Sequence, residues 1–274
     1  MNEASRLTEL RRLFTREQQG LEIGPSHFPI APKAEGYNIH ILDHLDQAGL
    51  KAKYATHGVD ASRIEAVDFV WTGGSYLDAV PGRACYDYII ASHVIEHATD
   101  LIGFIGDCEA LLKPEGALIL CVPDKRYCFD RFRQPSSLAH VIDRHLKPWP
   151  VHSPGTAAEY CLTVVSRGGT TSWPKTSKGE FAFVHNGDLA RRLYDGILKQ
   201  GHYHDMHAWC FTPTHFRLLV DDLREMALVH SHVHDCRPLR DHEFLAVLKR
   251  QPAPAGDRMA LLRQSLTEQL EGLA

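Results

Sequence analysis

Apolar positions in the first half of the chain occur in short runs separated by polar and helical patterns. Five runs have the length of strands, and all but the fourth are closed by glycine, proline or an acidic residue; they are residues 21–23, 38–42, 66–71, 86–91 and 117–122. A helical pattern over 102–112 joins the fourth run to the fifth. Short apolar strands alternating with helices favour parallel crossovers, so the pattern predicts an α/β sheet covered on both faces.

The regular order ends at Pro123. Residues 124–206 contain helical segments and a stretch rich in proline, glycine and serine, without a clean strand series. A helix from 212 to 226 and two closing strands, 229–233 and 243–248, follow it. We therefore divide the chain into a core domain, an inserted region and a C-terminal helix; they are residues 1–123 with 207–250, residues 124–206, and residues 251–274.

The C-terminal helix, which Asp257 can cap, places its apolar residues on one stripe. The stripe consists of Met259, Leu262, Leu266, Leu270 and Leu273. Docking on the chain's own surface and a homodimer contact would each bury it, and both interpretations stay open.

Composition narrows the classes of partner and compartment. Lys and Arg together number 30 against 34 for Asp and Glu, which gives a net charge of -4. Without a basic excess we expect neither a nucleic-acid nor a membrane-surface partner. No apolar run approaches the ~20 residues of a membrane-spanning helix. The first residues lack the pattern of a secretory signal, and the seven cysteines form no Cys-x-x-Cys pair; we therefore expect a cytoplasmic protein with reduced thiols.

The first strand runs directly into a glycine turn, in the segment Leu-Glu-Ile-Gly-Pro-Ser of residues 21–26. Asp43 closes the second strand. A glycine lets the backbone approach a ligand, and a carboxylate on the next strand can accept both ribose hydroxyls, which is the plan of an adenosine site. Ser26 stands where a glycine-rich loop would continue, so the turn disfavours the pyrophosphates of NAD, FAD and nucleoside triphosphates.

Four segments in order resemble the successive motifs of class I S-adenosylmethionine-dependent methyltransferases. They are LEIGP at 21–25, ILD at 41–43, YDYIIASHVIEH at 86–97 and LLKPEGALILCVPD at 111–124. The resemblance covers roughly residues 18–124 closely and 207–250 more loosely. It implies a Rossmann-like seven-stranded sheet, mostly parallel with the last strand antiparallel, into which the large helical region is inserted after the fifth strand.

The same resemblance implies S-adenosylmethionine as the cofactor and assigns its contacts. Residues that match the motifs would line the methionine end (Glu22, Gly24 and the neighbouring Ser26), the ribose (Asp43), the adenine edge (Trp71 and Thr72) and the space beneath the sulfonium (Ser92 and His93). Ser26 and Thr72 depart from the usual family pattern at their positions.

Methyl transfer is an in-line displacement, so the protein must align the acceptor with the methyl carbon and exclude water. A base is needed only if the acceptor carries a proton. His97, His207 and Tyr127 are the candidates, and packing or hydrogen bonding is the alternative role for each.

The inserted region is expected to determine the acceptor. Its many aromatic residues suit a lid over a small molecule, or a small core of their own. Six cations near its start suggest an anionic acceptor, with a solvated helix face as the equal alternative; they are Lys125, Arg126, Arg131, Arg133, Arg144 and Lys147.

Two other functions fit the same sequence. The cofactor's own amine could attack its carbon chain and expel methylthioadenosine, or the chain could be a catalytically silent binding module. We predict no metal: the run His202-Tyr-His204-Asp-Met-His207 lacks a further ligand at a recognised spacing and suits a solvated or substrate-facing loop.

Overall fold

A mixed sheet organises the chain, which a computed structural model describes for residues 3–240, 242–253 and 256–271. The strands are β1 (Gly20–Ile23), β2 (Ile39–Asp43), β3 (Phe69–Val70), β4 (Tyr86–Ser92), β5 (Leu112–Pro123), β6 (Val165–Arg167), β7 (Phe181–Phe183), β8 (His232–Arg240) and β9 (Glu243–Lys249). The helices are α1 (Glu3–Leu10), α2 (Gln47–Tyr54), α3 (Tyr76–Ala79), α4 (Leu101–Leu111), α5 (Leu138–Leu146), α6 (Pro154–Thr163), α7 (Gly187–Gln200), α8 (Pro213–Glu225) and α9 (Arg258–Leu270).

Seven of these strands form one sheet in the order β3-β2-β1-β4-β5-β9-β8. The pairs among β1 to β5 are parallel, whereas β9 runs antiparallel between β5 and β8. This confirms the predicted seven-stranded sheet with an antiparallel last strand. The strand order reverses between β1 and β4, and in open α/β sheets such a reversal opens a crevice at the carboxyl ends of the strands.

Alternating side chains of the central strands supply two apolar layers. On one face, Leu21 and Ile23 join the larger core beneath α4 and α8. On the other face, Ile90 and Ile119 pack with residues of α1 and of the segment that follows β1. Both faces of the sheet are therefore covered, as the uninterrupted apolar runs predict.

The inserted region contains the helices α5, α6 and α7 and a small antiparallel sheet, β6 with β7, that the sequence pattern does not show. Strands of three residues are too short to display a period. Its side chains form two apolar clusters of their own, one around Tyr127 and Trp173 and one around Ala157 and Ile197.

Helix α9 docks on the chain's own surface, but through a different face from the expected one. The apolar stripe is exposed over Met259, Leu262, Leu266 and Leu270, and Leu273 lies outside the described residues. The buried contacts come from Ser265 and Glu268.

A missing helix cap explains this docking. The Thr212 side chain makes no capping hydrogen bond at the start of α8. The Glu268 carboxylate instead accepts from Thr214 N at 3.1 Å and from its hydroxyl at 2.5 Å. A polar contact that satisfies a helix terminus thus orients α9, and the homodimer contact stays a prediction.

Among the described residues, no helix is both long enough and apolar enough to span a bilayer.

A buried ion pair joins α1 to the last strand. Arg6 Nε donates to Glu243 Oε1 at 2.6 Å and Arg6 Nη2 to Glu243 Oε2 at 3.1 Å. His93 Nε2 lies 2.9 Å from Glu243 Oε2. Burial alone would raise the pKa of Glu243, but the hydrogen bond from His93 and the charge of Arg6 lower that pKa to about 2.

Replacing Glu243 by Gln should lower the free energy of unfolding by about 3–5 kcal/mol at pH 7, because the buried Arg6 then keeps only the exposed Glu3 carboxylate as a charged partner. A depressed carboxyl pKa contributes stability above the unfolded pKa of ~4.3 and loses it as the pH falls toward the folded value. The variant should therefore lose less stability than the wild type between pH 4.5 and about 2. Denaturant unfolding across this range tests both effects, with exposed Glu225→Gln as control; equal losses in the two Gln variants would contradict the account.

Candidate active site

A cavity of about 540 Å³ opens at the carboxyl ends of β1, β2 and β4. It is lined by most of the residues predicted to bind the cofactor, namely Gly24, Ser26, Asp43, Trp71, Thr72 and His93, and by His97. A larger space of about 640 Å³ lies between α8, β8 and the start of α9. The larger space involves no end of a parallel strand, so we assign the site to the cavity at the strand reversal.

The turn after β1 exposes its backbone. Gly24 and Ser26 both have left-handed backbone conformations, with φ of 64° and 53°. A Cβ added at Gly24 would lie 3.1 Å from Val94 Cγ2, closer than ordinary packing allows. Both its left-handed conformation and the narrow space against the turn after β4 therefore favour glycine at this position.

Asp43 ends β2 as a buried carboxylate directed at this turn. Its Oδ2 accepts from Ser26 N at 3.0 Å, and its Oδ1 accepts from His44 N at 2.8 Å. The His44 ring also contacts Oδ1, at 2.6 Å. Each carboxylate oxygen can accept two hydrogen bonds, so Oδ2 keeps acceptor capacity for a hydroxyl at the cavity wall.

An aromatic wall follows β3. The Trp71 indole donates to Gly74 O at 3.0 Å and meets Tyr76 edge to face at 5.2 Å. The ring is thereby held beside Asp43, whose carbonyl accepts from Trp71 N at 2.8 Å. A glycine turn, a carboxylate with spare acceptor capacity and a fixed aromatic ring fit a nucleoside with a ribose and a flat base.

Three predicted site residues lie away from the cavity. Glu22 faces the opposite side of the sheet, where its carboxylate accepts from Ile30 N at 2.7 Å and from Ala31 N at 3.1 Å. Burial raises the pKa of Glu22 to about 7, although these two N–H groups oppose the shift. Glu22 thus fastens the loop after β1 and does not line the cavity.

Ser92 and Tyr127 are the other two. The Ser92 hydroxyl accepts from Arg6 Nη2 at 2.8 Å. Tyr127 is buried against Val165 and Trp173 in the inserted region. Strand alternation explains Ser92, because it points to the face opposite its neighbour Ala91. Tyr127 is part of an apolar cluster within the inserted region.

The structure brings His97 and His207 together. Their rings meet edge to face with centroids 4.8 Å apart. His97 lines the cavity together with Asp205, whose Oδ1 lies 2.8 Å from His97 Nδ1. His207 is buried behind His97, with its Nδ1 2.5 Å from Asp130 Oδ2.

Sequence reasoning missed Glu96, Asp130 and Asp205, which surround these two imidazoles. Glu96 and His97 occupy a short turn directly after β4, a position where side chains reach the crevice. This position directly after β4 could have identified Glu96 from the sequence. Asp130 and Asp205 are contributed by opposite ends of the insertion, so only the fold reveals them.

Burial would lower the pKa of His97, but the neighbouring Asp205 and Glu96 carboxylates raise it overall. The pKa of Asp205 is lowered to about 2, and the largest cause is its contact with His97. The cavity wall therefore combines the His97 imidazole with the ionised carboxylate of Asp205.

The predicted cation cluster does not form an anion site at the cavity. Arg126 pairs with Asp124 at 2.6 Å, and Arg133 pairs with Asp130 at 2.9 Å. Lys125 Nζ donates to Arg131 O at 2.9 Å. The Arg144 guanidinium is likewise bound to backbone carbonyls, those of Thr99 and Val151, while Lys147 is exposed. Of these contacts only the one from Arg144 to Thr99 O joins the inserted region to the core domain, and the others lie within the inserted region.

A family model described as "Methyltransferase domain" matches residues 8–162, more than half of the chain. The chain therefore belongs to the family of class I S-adenosylmethionine-dependent methyltransferases, whose cofactor is S-adenosylmethionine. This identification agrees with the strand order, the glycine turn and the carboxylate that ends β2.

Curated relatives cover part of the chain. It is 34% identical over 121 residues to a ubiquinone biosynthesis O-methyltransferase of Rhodopseudomonas palustris (strain BisA53), over 44% of this chain and 36% of the relative. It is 28% identical over 122 residues to the protein of the same name from Bradyrhizobium sp. (strain ORS 278), over 44% and 37%. The matched part thus spans little more than a third of these relatives' length.

Solved structures are similar over more of the chain at lower identity. A 1,6-didemethyltoxoflavin-N1-methyltransferase of Burkholderia thailandensis has a TM-score of 0.45 and 13% identity, over 92% of this chain and 80% of that one. The CcbJ methyltransferase of Streptomyces caelestis has a TM-score of 0.47 and 9% identity, over 90% and 94%.

Replacing Asp43 by Ala should weaken cofactor binding by about 1–3 kcal/mol, because the ribose hydroxyls and Ser26 N lose their acceptor. Calorimetric titration with S-adenosylhomocysteine measures the change. Asp188→Ala, at an exposed position early in α7, is the control and should leave affinity unchanged. An unaltered affinity in a folded Asp43→Ala variant would contradict the assignment.

Proposed function

We propose that the chain transfers the methyl group of S-adenosylmethionine to a hydroxyl oxygen of a small molecule. The observation that carries this proposal is that a single cavity is lined by two groups of residues with different chemistry. Gly24, Asp43 and Trp71 form one group, and His97 and Asp205 form the other. Its volume of about 540 Å³ is within the range of small-molecule sites.

The cofactor supplies a methyl group on a positively charged sulfur. Gly24 and Asp43 would hold the cofactor, with Trp71 against its base. The turn that follows β4 carries His93, which has a left-handed backbone conformation with φ of 55°. His93 N donates to Cys121 O at 2.9 Å, and the ring is tied to Glu243. The protein thus fixes His93 in the wall of the cavity.

The acceptor would lie against the group formed by His97 and Asp205. Val151 and Tyr203 of the inserted region line the cavity beside His97 and Asp205. These side chains would shield the reacting atoms from water and align the hydroxyl for in-line attack. Of the three candidate bases, His97 has this position, His207 lies behind it, and Tyr127 lies in the insertion core.

Oxygen is favoured as the acceptor atom by the names of the curated relatives, which are O-methyltransferases. The relatives share only part of their length with this chain, so the acceptor class belongs to the proposal. An anionic acceptor loses the support of the cations at the start of the insertion, since most of these cations are paired within the protein.

Product analysis tests the proposal directly. The protein is incubated with S-adenosylmethionine alone and with a panel of hydroxylated aromatic and aliphatic molecules, and the products are identified by mass spectrometry. We expect S-adenosylhomocysteine to form together with a methylated acceptor, and only when an acceptor is present.

Asp43→Ala should reduce this product, whereas Asp188→Ala should not. If methylthioadenosine forms from the cofactor alone, the proposed function is wrong and the reaction is cyclisation of the cofactor. Cofactor binding without turnover of any acceptor would favour the silent binding module.

A further inference from the structure

We propose that Glu96, His97 and His207 bind a divalent transition-metal ion in the wall of the cofactor cavity. Donor atoms of the three side chains lie within 4.8 Å of one another. Glu96 Oε1 is 3.9 Å from Nε2 of His97 and 3.9 Å from Nε2 of His207. Bonds of ~2.0–2.2 Å to one ion would separate its donors by about 3–4 Å. The three groups therefore have the spacing of ligands around an ion.

The Glu96 carboxylate is the strongest indication. Its side chain is 2% exposed, and neither oxygen has a hydrogen-bond partner in the part of the chain that the structure describes. Leaving a charged group buried without a partner is costly. The imidazole nitrogens at 3.9 Å are beyond hydrogen-bonding distance. A cation between the three groups would satisfy the carboxylate and both nitrogens at once.

Both imidazoles are oriented in the same way. His207 Nδ1 lies 2.5 Å from Asp130 Oδ2, and His97 Nδ1 lies 2.8 Å from Asp205 Oδ1. A proton on each Nδ1 leaves each Nε2, the atom on the Glu96 side, with a free lone pair. Histidines that bind metals usually donate their other N–H to a carboxylate, which fixes the ring and the tautomer. The structure has this arrangement at His207, whereas His97 Nδ1 lies close to Asp205 without forming a hydrogen bond in the described residues.

Backbone contacts hold the ligands in place. Ala208 N and Trp209 N both donate to Glu96 O, at 2.7 Å and 3.2 Å. Arg133 Nη1 donates to His207 O at 2.8 Å. The turn after β4 and the end of the inserted region are thereby fastened to each other at the cluster.

This proposal revises the expectation of no metal. The spacing rule fails here because the inserted region separates His207 from Glu96 and His97 along the chain. Within the run 202–207, only His207 belongs to the cluster. Two imidazoles and one carboxylate suit Mn²⁺, Fe²⁺, Co²⁺ or Zn²⁺ better than Mg²⁺ or Ca²⁺, which prefer oxygen ligands throughout.

The ion's role, unlike its binding, rests on the proposed function. Because His97 and Asp205 line the cavity, the coordination positions that the protein leaves open would face the acceptor. An oxygen of the acceptor bound there would become more acidic, as water does on a metal. The two imidazoles would then act as ligands, and the acceptor hydroxyl would lose its proton to solvent as it binds, so that its oxygen could attack the methyl carbon and release S-adenosylhomocysteine without a protein base.

The test begins with protein freed of metal by a chelator and titrated with Co²⁺ alone. Visible absorption reports the ligand field, and calorimetry gives the stoichiometry. We expect about one Co²⁺ per chain, a new visible band and reversal by excess chelator. A Co²⁺ concentration of ~100 µM is well above the dissociation constant expected for a site with two imidazole ligands. No uptake of Co²⁺ at that concentration would overturn the proposal.

Variants locate the site. Glu96→Gln should weaken Co²⁺ binding at least about tenfold, the scale seen when even the supports of metal ligands are removed. Without metal its unfolding midpoint should not fall, because a buried charge without a partner has been neutralised. His207→Ala provides a second reading if Glu96→Gln does not fold.

The matched control is His204→Ala, in the same histidine-rich run but outside the cluster, and it should bind Co²⁺ as the wild type does. Loss of binding in His204→Ala with unchanged binding in Glu96→Gln and His207→Ala would overturn the proposal. Titration of the metal-free protein with S-adenosylhomocysteine separates the metal site from the proposed function. If the chain binds the nucleoside but not Co²⁺, only the metal site is wrong. If it binds Co²⁺ without transferring methyl, only the proposed function is wrong.

Discussion

The hydrogen bond from Ser26 N to Asp43 Oδ2 holds together the two loops that line the proposed cofactor site. It spans the carboxyl ends of β1 and β2, where the backbone of Gly24 is left-handed and bare. Because β1 lies between β2 and β4, the loops after all three strands meet at the same edge of the sheet. The carboxylate thus orders the turn and keeps capacity for a ligand hydroxyl.

A network of polar side chains, buried except at the His93 ring, extends from this edge in both directions. Arg6 binds Glu243, Glu243 binds His93, and His93 Nδ1 lies 3.6 Å from Glu96 Oε1. Beyond Glu96 the chain continues through His207 to Asp130. Buried networks of this kind strengthen one another when satisfied and are costly when incomplete. In the described residues the carboxylate of Glu96 accepts no hydrogen bond in this network. It lies between the core domain and the inserted region.

The sheet was largely predictable because buried parallel strands are continuous apolar runs. The runs over 21–23 and 86–91 fall within a residue or so of β1 and β4. Where polar residues or very short strands occur, the pattern fails: β3 keeps only Phe69–Val70 of the predicted 66–71, and β8 runs through the polar segment His232–Arg240 because β9 pairs with it. The β6–β7 pair was not predicted, and α9 docks through polar contacts that hydrophobic periodicity does not report.

The candidate site divides in the same way. Residues at strand ends, such as Gly24, Asp43 and His97, were placed in the cavity because the crevice of an α/β sheet is known in advance. The side chains of Glu22 and Ser92 point away from the cavity, because successive side chains along a strand point to opposite faces of the sheet. The partnership of Glu96 with His207 needed the fold, because the inserted region separates them in sequence.

The central claim is that the cavity beside Asp43 holds the cofactor. A crystal structure of the complex with S-adenosylhomocysteine tests it most directly. The account predicts the ribose hydroxyls within hydrogen-bonding distance of the Asp43 carboxylate, the adenine beside Trp71, and the sulfur facing the end of the cavity that His97 lines. A nucleoside bound elsewhere, or side chains filling this cavity when the ligand is present at saturating concentration, would contradict it.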